Sequence, residues 1–474
     1  MTDAPARLRT SRYNFAVRTP DGPLIYNASS GAAQRLAGPD ADALAAALTG
    51  PPADLPADAL DPDFRSALEG GSFLVPADAD ELAAIRARFR RARDETPAVL
   101  TVTTTMDCNL GCYYCYEERS GDRLARHDAA GLVATARERL RAGRKTALHV
   151  DWYGGEPLLN VEFLEEASAA LQAFCAREGV AYQSSVISNG TRWPEDVGGF
   201  VRRHRVAQVQ ITFDGLRANH DRRRRFRAGR GGPGESSFGA AVRLVTRLLD
   251  HARVDVRFNL DRRNRCDLLP FARLARSLGW FAKPHPVTLQ PARLAAYSER
   301  TRFMRKAELS LAEFDALKAA LRAEVAGEAA VEESEAPDGF PHPKTTVCAA
   351  LAGSSVVVGA DRRLYRCGLQ VGEAHRAVGR VSEPGRLSLP MAGDHPDADW
   401  WDRFDPTALP NCHRCSFLPV CWGGCPKKHL EGDAEAIAQQ GAYWRANLPR
   451  LIATGVGAEL VGPAAFTEAD QFRG

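Results

Sequence analysis

The chain has 474 residues, 45% of them hydrophobic, enough for two or three domains with a sizeable core. Its 62 basic and 59 acidic residues leave a net charge of +3, too balanced to argue for a nucleic-acid partner. No apolar run reaches the roughly 18 residues of a membrane span, and Met1 to Arg12 carries no apolar signal segment, so a cytoplasmic protein without a membrane partner is expected.

Residues 1–95 read as a small α+β module. Tyr13–Arg18 and Leu24–Tyr26 are strand-like and flank Pro20-Asp21-Gly22, a hairpin signal. Ser29–Leu36 and Ala41–Leu48 read as helices, and Pro51–Asp61 as a loop. Phe64–Leu68 is a helix that ends at Gly70-Gly71 before a short strand reaching Val75. Asp80–Arg93 is a charged helix, with Asp80 suited to its N-cap.

Residues 96–300 alternate strand and helix. The strands are Val99–Thr105, Ala147–Trp152, Ser184–Ile187, Gln208–Phe213, Val254–Leu260 and Pro286–Leu289. Helical patterns lie between them at His127–Arg141, Val161–Glu178, Glu195–His204, Phe238–His251 and Leu268–Leu278. Repeated βα units imply a parallel sheet with helices outside. Function then belongs at the C-terminal ends of the strands. The first strand leads into Cys108-Asn-Leu-Gly-Cys112-Tyr-Tyr-Cys115. Three thiolates so spaced can hold three irons of a cubic [4Fe–4S] cluster, whose usual complement is four Cys, leaving one iron for a ligand that is not protein. A zinc knuckle fits C-x3-C-x2-C poorly.

Gly154-Gly155-Glu156-Pro157, Ser188-Asn189-Gly190-Thr191 and Thr212-Phe213-Asp214-Gly215 follow later strands; the last two are also ordinary turn signals. Arg222–Arg230 holds six Arg and reads as a solvated face, with attraction of an acidic peptide as the rival. Residues 301–345 read as a helical bridge, then an acidic, Pro-rich linker from Glu332 to Thr346.

Residues 346–474 carry Cys348, Cys367 and Cys412-x2-Cys415-x5-Cys421-x3-Cys425. Ser354–Gly359 and Arg363–Tyr365 look like a hairpin that returns Cys367 towards Cys348. The cysteines alone fit a zinc ribbon or an iron–sulfur site equally. Cys175 and Cys266 stand apart, in apolar or mixed helical contexts, as ordinary thiols.

The triplet, with Tyr114 before its third cysteine and Gly154–Pro157 after the next apolar run, resembles the radical SAM superfamily. The resemblance implies an α/β fold built on a partial (β/α)6 TIM-like barrel. It implies a [4Fe–4S] cluster on Cys108, Cys112 and Cys115 whose open iron binds S-adenosyl-L-methionine. It places Tyr114 by the adenine and Gly154, Gly155 and Glu156 by the amino group. Asn189 joins the cofactor pocket, Thr212 the ribose side, and Arg224, after His220-Asp221, the carboxylate side.

The C-terminal cysteines resemble the SPASM extension with one or two auxiliary [4Fe–4S] clusters. By that resemblance Cys348, Cys367 and Cys425 hold the first, and Cys412, Cys415 and Cys421 the second. Two departures matter. No Cys follows Cys425, and Tyr443-Trp444-Arg445 stands where one is expected, so His429, a carboxylate, water or nothing completes the second site. Gly368 follows Cys367 where sulfatase-maturing members carry an Asp as candidate base, and glycine accepts no proton.

The implied activity is an oxidoreductase that cleaves S-adenosylmethionine reductively and oxidatively crosslinks a ribosomally made precursor peptide. Flavodoxin or ferredoxin supplies the electron. Residues 1–95 are similar in order to small leader-binding domains. Sulfatase maturation, peptide epimerisation with a spare Cys as hydrogen donor, and a non-catalytic iron–sulfur or zinc scaffold are the rivals. The two or three clusters predict roughly eight to twelve irons per chain.

Overall fold

Six β-branched and apolar runs pair in the order in which the chain makes them. A computed structural model describes residues 7–55, 60–232, 234–296, 299–327, 340–381 and 399–472. The strands are β1 (Ala98–Thr103), β2 (Ala147–Tyr153), β3 (Ala181–Ser188), β4 (Val206–Phe213), β5 (Arg253–Leu260) and β6 (Thr288–Arg293). Every neighbouring pair is parallel. Such pairing requires a crossover between consecutive strands. The crossovers contain α1 (Asp128–Gly143), α2 (Val161–Glu178), α3 (Val197–Arg203), α4 (Ser237–Leu248) and α5 (Leu268–Ser277). Val102, Val150, Trp152 and Ile211 from the sheet meet Phe163 and Leu171 of α2 and their neighbours in one apolar core.

The expected elements recur with shifted ends. The helix expected over Glu195–His204 starts only at Val197, because Asp196 turns its carboxylate back to accept the Gly199 N–H at 2.8 Å. The last strand moves from Pro286–Leu289 to Thr288–Arg293, where it matches β5 from Asp255 to Leu260. The hairpin expected after residue 354 forms as β7 (Val356–Val358) against β8 (Arg363–Tyr365). It also joins the sheet, β7 running parallel to β1 through Val356↔Leu100. The sheet is an open order, with β6 at one edge and β9 (Gly379–Arg380) at the other.

Contacts divide the chain into two units: residues 1–95, 333–347 and 403–474, and residues 96–332 and 348–402. This cuts across the four segments read from sequence. The segment 346–474, expected as one auxiliary domain, divides at 402/403, and residues 1–95 share a unit with its last part. Part of the expected linker, residues 332–339, lies outside the described residues, as do residues 1–6 and 56–59.

In the first unit Asn14–Thr19 and Gly22–Asn27 pair antiparallel, closing at Thr19↔Gly22 around Pro20-Asp21. The helix expected over Ser29–Leu36 is absent; Ala33–Arg35 adds a third strand against Leu24–Tyr26. The reason is turn chemistry: the Asn27 carboxamide oxygen accepts the N–H groups of Ser29 and Ser30, each at 2.9 Å, and Gly31 takes φ +78°. The chain reverses before a helical turn can form. Glu81–Glu95 is the expected charged helix, and Asp80 caps it through the Ala83 N–H at 2.9 Å. Phe15 of the hairpin stacks on Phe417 with centroids 5.3 Å apart, and Phe89 of the charged helix meets Trp422 edge-on at the same distance. Among the described residues no helix is long and apolar enough to cross a membrane.

Candidate functional site

The loop after β1 carries Cys108, Cys112 and Cys115 and is stitched to the end of β2. The Gly155 N–H donates to the Thr105 carbonyl and the Glu156 N–H to the Asp107 carbonyl, both at 3.0 Å. A Cβ on Gly154 would stand 2.5 Å from the Thr105 oxygen, and one on Gly155 2.4 Å from the Asp107 oxygen. Gly154 also holds φ +144°. Only glycine permits two backbones to run this close.

Glu156 is fully buried and points at the end of β3. Its carboxylate accepts the Asn189 N–H at 2.8 Å and the Ser188 hydroxyl at 2.9 Å. Burial pushes its carboxyl up to about 7, against the pull of these donors. The Asn189 side-chain amide donates to the Asn109 carboxamide oxygen at 2.9 Å and lies 3.7 Å from the Cys108 sulfur. Gly154, Gly155, Glu156 and Asn189 thus meet the first cysteine.

A second group lies around Tyr114, which the ends of β4 and β5 surround. The Tyr114 hydroxyl donates to Asp214 at 2.7 Å and accepts from Arg224 at 2.9 Å. Asp214, wholly buried, also takes the Arg223 Nε–H at 3.0 Å, and Arg223 reaches Asp261 at 2.9 Å. Two buried guanidinium groups therefore face two buried carboxylates. Arg224 Nε has no partner among the described residues, and its charge acts on the Cys112 thiol. Thr212 sits at the end of β4, barely exposed.

Sequence reasoning missed Arg223, Asp214, Asp261 and Asn259. It also read the arginine loop as a solvated face with Arg224 as the exception. Arg223 is buried, and Arg227 and Arg230 pair with Asp107 at 2.8 and 2.9 Å. Arg227 further donates to the Cys108 carbonyl at 2.9 Å. Arg227 and Arg230 clasp the cysteine turn, while Arg222 and Arg225 of the same run are exposed.

Burial raises all three thiols of the triplet, Cys108 to about 12 and Cys115 to about 11. Thiolates in such a place need a positive partner, which the irons of a cluster supply. The donor set, the paired glycines and the unpartnered Arg224 Nε fit a cluster with a small polar ligand beside it.

In the other unit burial raises the thiols of Cys412, Cys415 and Cys421, and a Cys421 thiolate lies close enough to disfavour those of Cys412 and Cys415. The Gln471 amide lies 3.6 Å from the Cys415 sulfur. His429 is engaged through Nε2 with the Gly423 carbonyl at 2.7 Å. Of the set expected for the first auxiliary cluster, Cys348 and Cys367 lie in the sheet unit and Cys425 in the other. Arg366 donates to the Ala350 carbonyl at 2.9 Å, so the hairpin does bring the flanks of Cys367 and Cys348 together. Cys175 is buried in α2, and Cys266 is exposed in the 3-10 turn Arg265–Asp267 that leads into α5. Among the described residues no three His, Cys, Asp or Glu side chains converge on one ion.

The Radical SAM superfamily model matches residues 102–246. The chain is 26% identical over 336 residues to a serine-type anaerobic sulfatase-maturating enzyme of Klebsiella pneumoniae, covering 67% of this chain and 79% of that one. It is 32% identical over 155 residues to the Klebsiella aerogenes enzyme of the same description, 32% of this chain and 36% of that one. The fold is similar to that of native anSMEcpe with bound AdoMet and Kp18Cys peptide, with TM-score 0.54, 15% identity, and coverage of 76% of this chain and 99% of that one.

Proposed function

We propose, the chain being a radical SAM enzyme, that it is a maturase acting on a carbon of a polypeptide. The family's cofactors, a [4Fe–4S] cluster and S-adenosylmethionine, supply when bound the 5′-deoxyadenosyl radical that removes a hydrogen from an unreactive carbon. Cys108, Cys112 and Cys115 hold that cluster. Gly154, Gly155, Glu156 and Asn189 receive the amino end of S-adenosylmethionine, and Tyr114, Thr212 and Arg224 its adenosyl and carboxylate side. Glu156 and Arg224 offer charges of opposite sign, as a zwitterionic amino acid requires. Cys412, Cys415 and Cys421 hold one auxiliary cluster, and Cys348 and Cys367 contribute to another. Residues 1–95 hold the leader of the precursor, and a flavodoxin or ferredoxin supplies the electron in the cytoplasm.

The observation that carries this reading is the second thiol group, Cys412, Cys415 and Cys421, in a chain whose triplet already meets Glu156 and Arg224. Hydrogen abstraction alone needs no second redox site; oxidation of the resulting carbon does. Oxidative crosslinking is the form we favour, because Gly368 offers no base after Cys367. Formation of an aldehyde is the second reading, favoured by the names of the Klebsiella relatives.

The test is anaerobic incubation with dithionite, S-adenosylmethionine and, separately, a Ser- or Cys-bearing sulfatase-type peptide and a precursor encoded beside this gene. 5′-Deoxyadenosine with loss of two hydrogens from the precursor and no reaction with an aldehyde reagent supports crosslinking. An aldehyde on the sulfatase-type peptide supports the second reading. No 5′-deoxyadenosine from a fully loaded enzyme overturns both.

A further inference from the structure

Two neighbours in the cysteine loop face opposite ways. Tyr114 turns inward and packs against Leu294, Met304 and Ala307. Tyr113 turns outward and is 40% exposed. The turn Glu299–Ala307 repeats the division: Met304 is buried on Tyr114, and Phe303 beside it is 54% exposed and faces the Tyr113 ring at 6.4 Å. Among the described residues only four large hydrophobic side chains are exposed, and these two form a contacting pair. Single exposed apolar residues need no explanation, but a contacting pair beside the cysteine triplet does.

Tyr113 is anchored from below. Arg223 donates to the Tyr113 hydroxyl at 2.9 Å and lies under both tyrosine rings, 5.5 Å and 5.4 Å from their centroids. Asp214 and Asp261 fix that guanidinium in turn. An aromatic surface held this firmly loses little entropy when something lands on it.

The rim is cationic. The turn Glu299–Ala307 carries Arg300, Arg302, Arg305 and Lys306 against a single acid, Glu299. Arg300, Arg302, Arg305 and Lys306 are all exposed.

We propose that Tyr113 and Phe303, with the cationic turn around Phe303, form the docking step for an acidic stretch of the polypeptide substrate carrying an aromatic side chain. The aromatic side chain lies on the two rings, and flanking carboxylates meet the arginines, which pair with them well. An anionic membrane surface offers similar chemistry, but two rings are a small apolar area for a bilayer anchor, and Tyr113 lies within the cysteine triplet itself, between Cys112 and Cys115. This rests on the reading of the chain as a polypeptide-modifying enzyme.

The experiment uses the reconstituted full chain and a short fluorescein-labelled peptide of alternating Glu and Phe, with Lys/Phe and Glu/Ala peptides as controls and phosphatidylserine vesicles as a separate probe. Fluorescence anisotropy is expected to show the Glu/Phe peptide bound about tenfold or more tightly than either control. Phe303→Ala and Arg300→Glu are each expected to erase that preference, with thermal stability and peptide-free 5′-deoxyadenosine formation unchanged. Equal binding of the three peptides, an unchanged preference in both variants, or binding to vesicles without the peptide preference overturns the proposal. If the preference and its loss are seen but no 5′-deoxyadenosine forms, the docking step stands and the functional reading fails.

Discussion

Gly155 shows how little room the site leaves for a single atom. A methyl there would lie 2.4 Å from the Asp107 carbonyl, one residue before Cys108. Gly155→Ala is therefore expected to push the cysteine turn off the Glu156 N–H, and Gly154→Ala adds about 1–3 kcal/mol of backbone strain at its positive φ. Both variants should lose iron from the triplet while keeping auxiliary iron, read by Mössbauer spectroscopy with iron counts per chain; retention of the full complement refutes the steric argument. Asp214→Asn tests the charge balance. It leaves Arg223 with Asp261 alone and Arg224 with no buried carboxylate, so a loss of about 3–5 kcal/mol is expected in denaturant unfolding of the sheet unit. A loss below about 1 kcal/mol would mean that water already reaches the pair. The triplet and Gly154–Pro157 were legible in the sequence because each is contiguous and rich in residues with narrow uses. Asp214, Asp261 and Asn259 were not, because what joins them to Tyr114 is a chain fold spanning 100 and 145 residues. Arg223 was hidden among five other arginines, and only burial tells it from them.

At the scale of elements, the periodic ones read well and the turn-governed ones did not. Helix α2 matches its expected span because its apolar stripe, Phe163, Leu164, Leu171 and Phe174, is long and regular. Ser29–Leu36 failed because its conformation is set by Asn27 side-chain bonds and by pairing with Leu24–Tyr26, neither of which periodicity records. The helix Leu311–Glu324 opens with a capping box in which Ser310 and Glu313 satisfy each other's N–H groups. The Ser310 N–H, then Arg262, hold the Glu313 carboxyl down at about 2. A carboxyl depressed by folding stabilises the fold fully above its ordinary value and loses that contribution as pH falls through the depressed one. The wild type is therefore expected to lose melting temperature relative to Glu313→Gln between about pH 4.5 and pH 2, and to keep a constant advantage above pH 6. Parallel curves for the two proteins across that range would show that the cap contributes nothing.

At the scale of the whole molecule, the division into units changes what a truncation means. Removing residues 1–95 appears at first to be the clean test of leader binding, since the sequence marks them off as a module. In the structure Phe15 stacks on Phe417, two residues beyond Cys415, and Phe89 meets Trp422, the residue after Cys421. Arg12 donates to the His413 carbonyl at 2.8 Å, between Cys412 and Cys415. Arg93 holds the Phe404 carbonyl at 3.2 Å. Each of the two aromatic contacts is a fully buried ring, and loss of such a ring costs about 3–5 kcal/mol in a well-packed core. The truncated chain is thus expected to retain the triplet and its iron but to lose about four irons from the Cys412–Cys421 site. Iron analysis with Mössbauer spectroscopy measures this directly, and an unchanged auxiliary signal refutes it. If the expected loss is seen, failure of a truncated enzyme to modify its peptide says nothing about leader recognition. That question then belongs to substitutions on exposed positions of the hairpin, such as Arg18 and Arg35, which leave Phe15 and its partners in place.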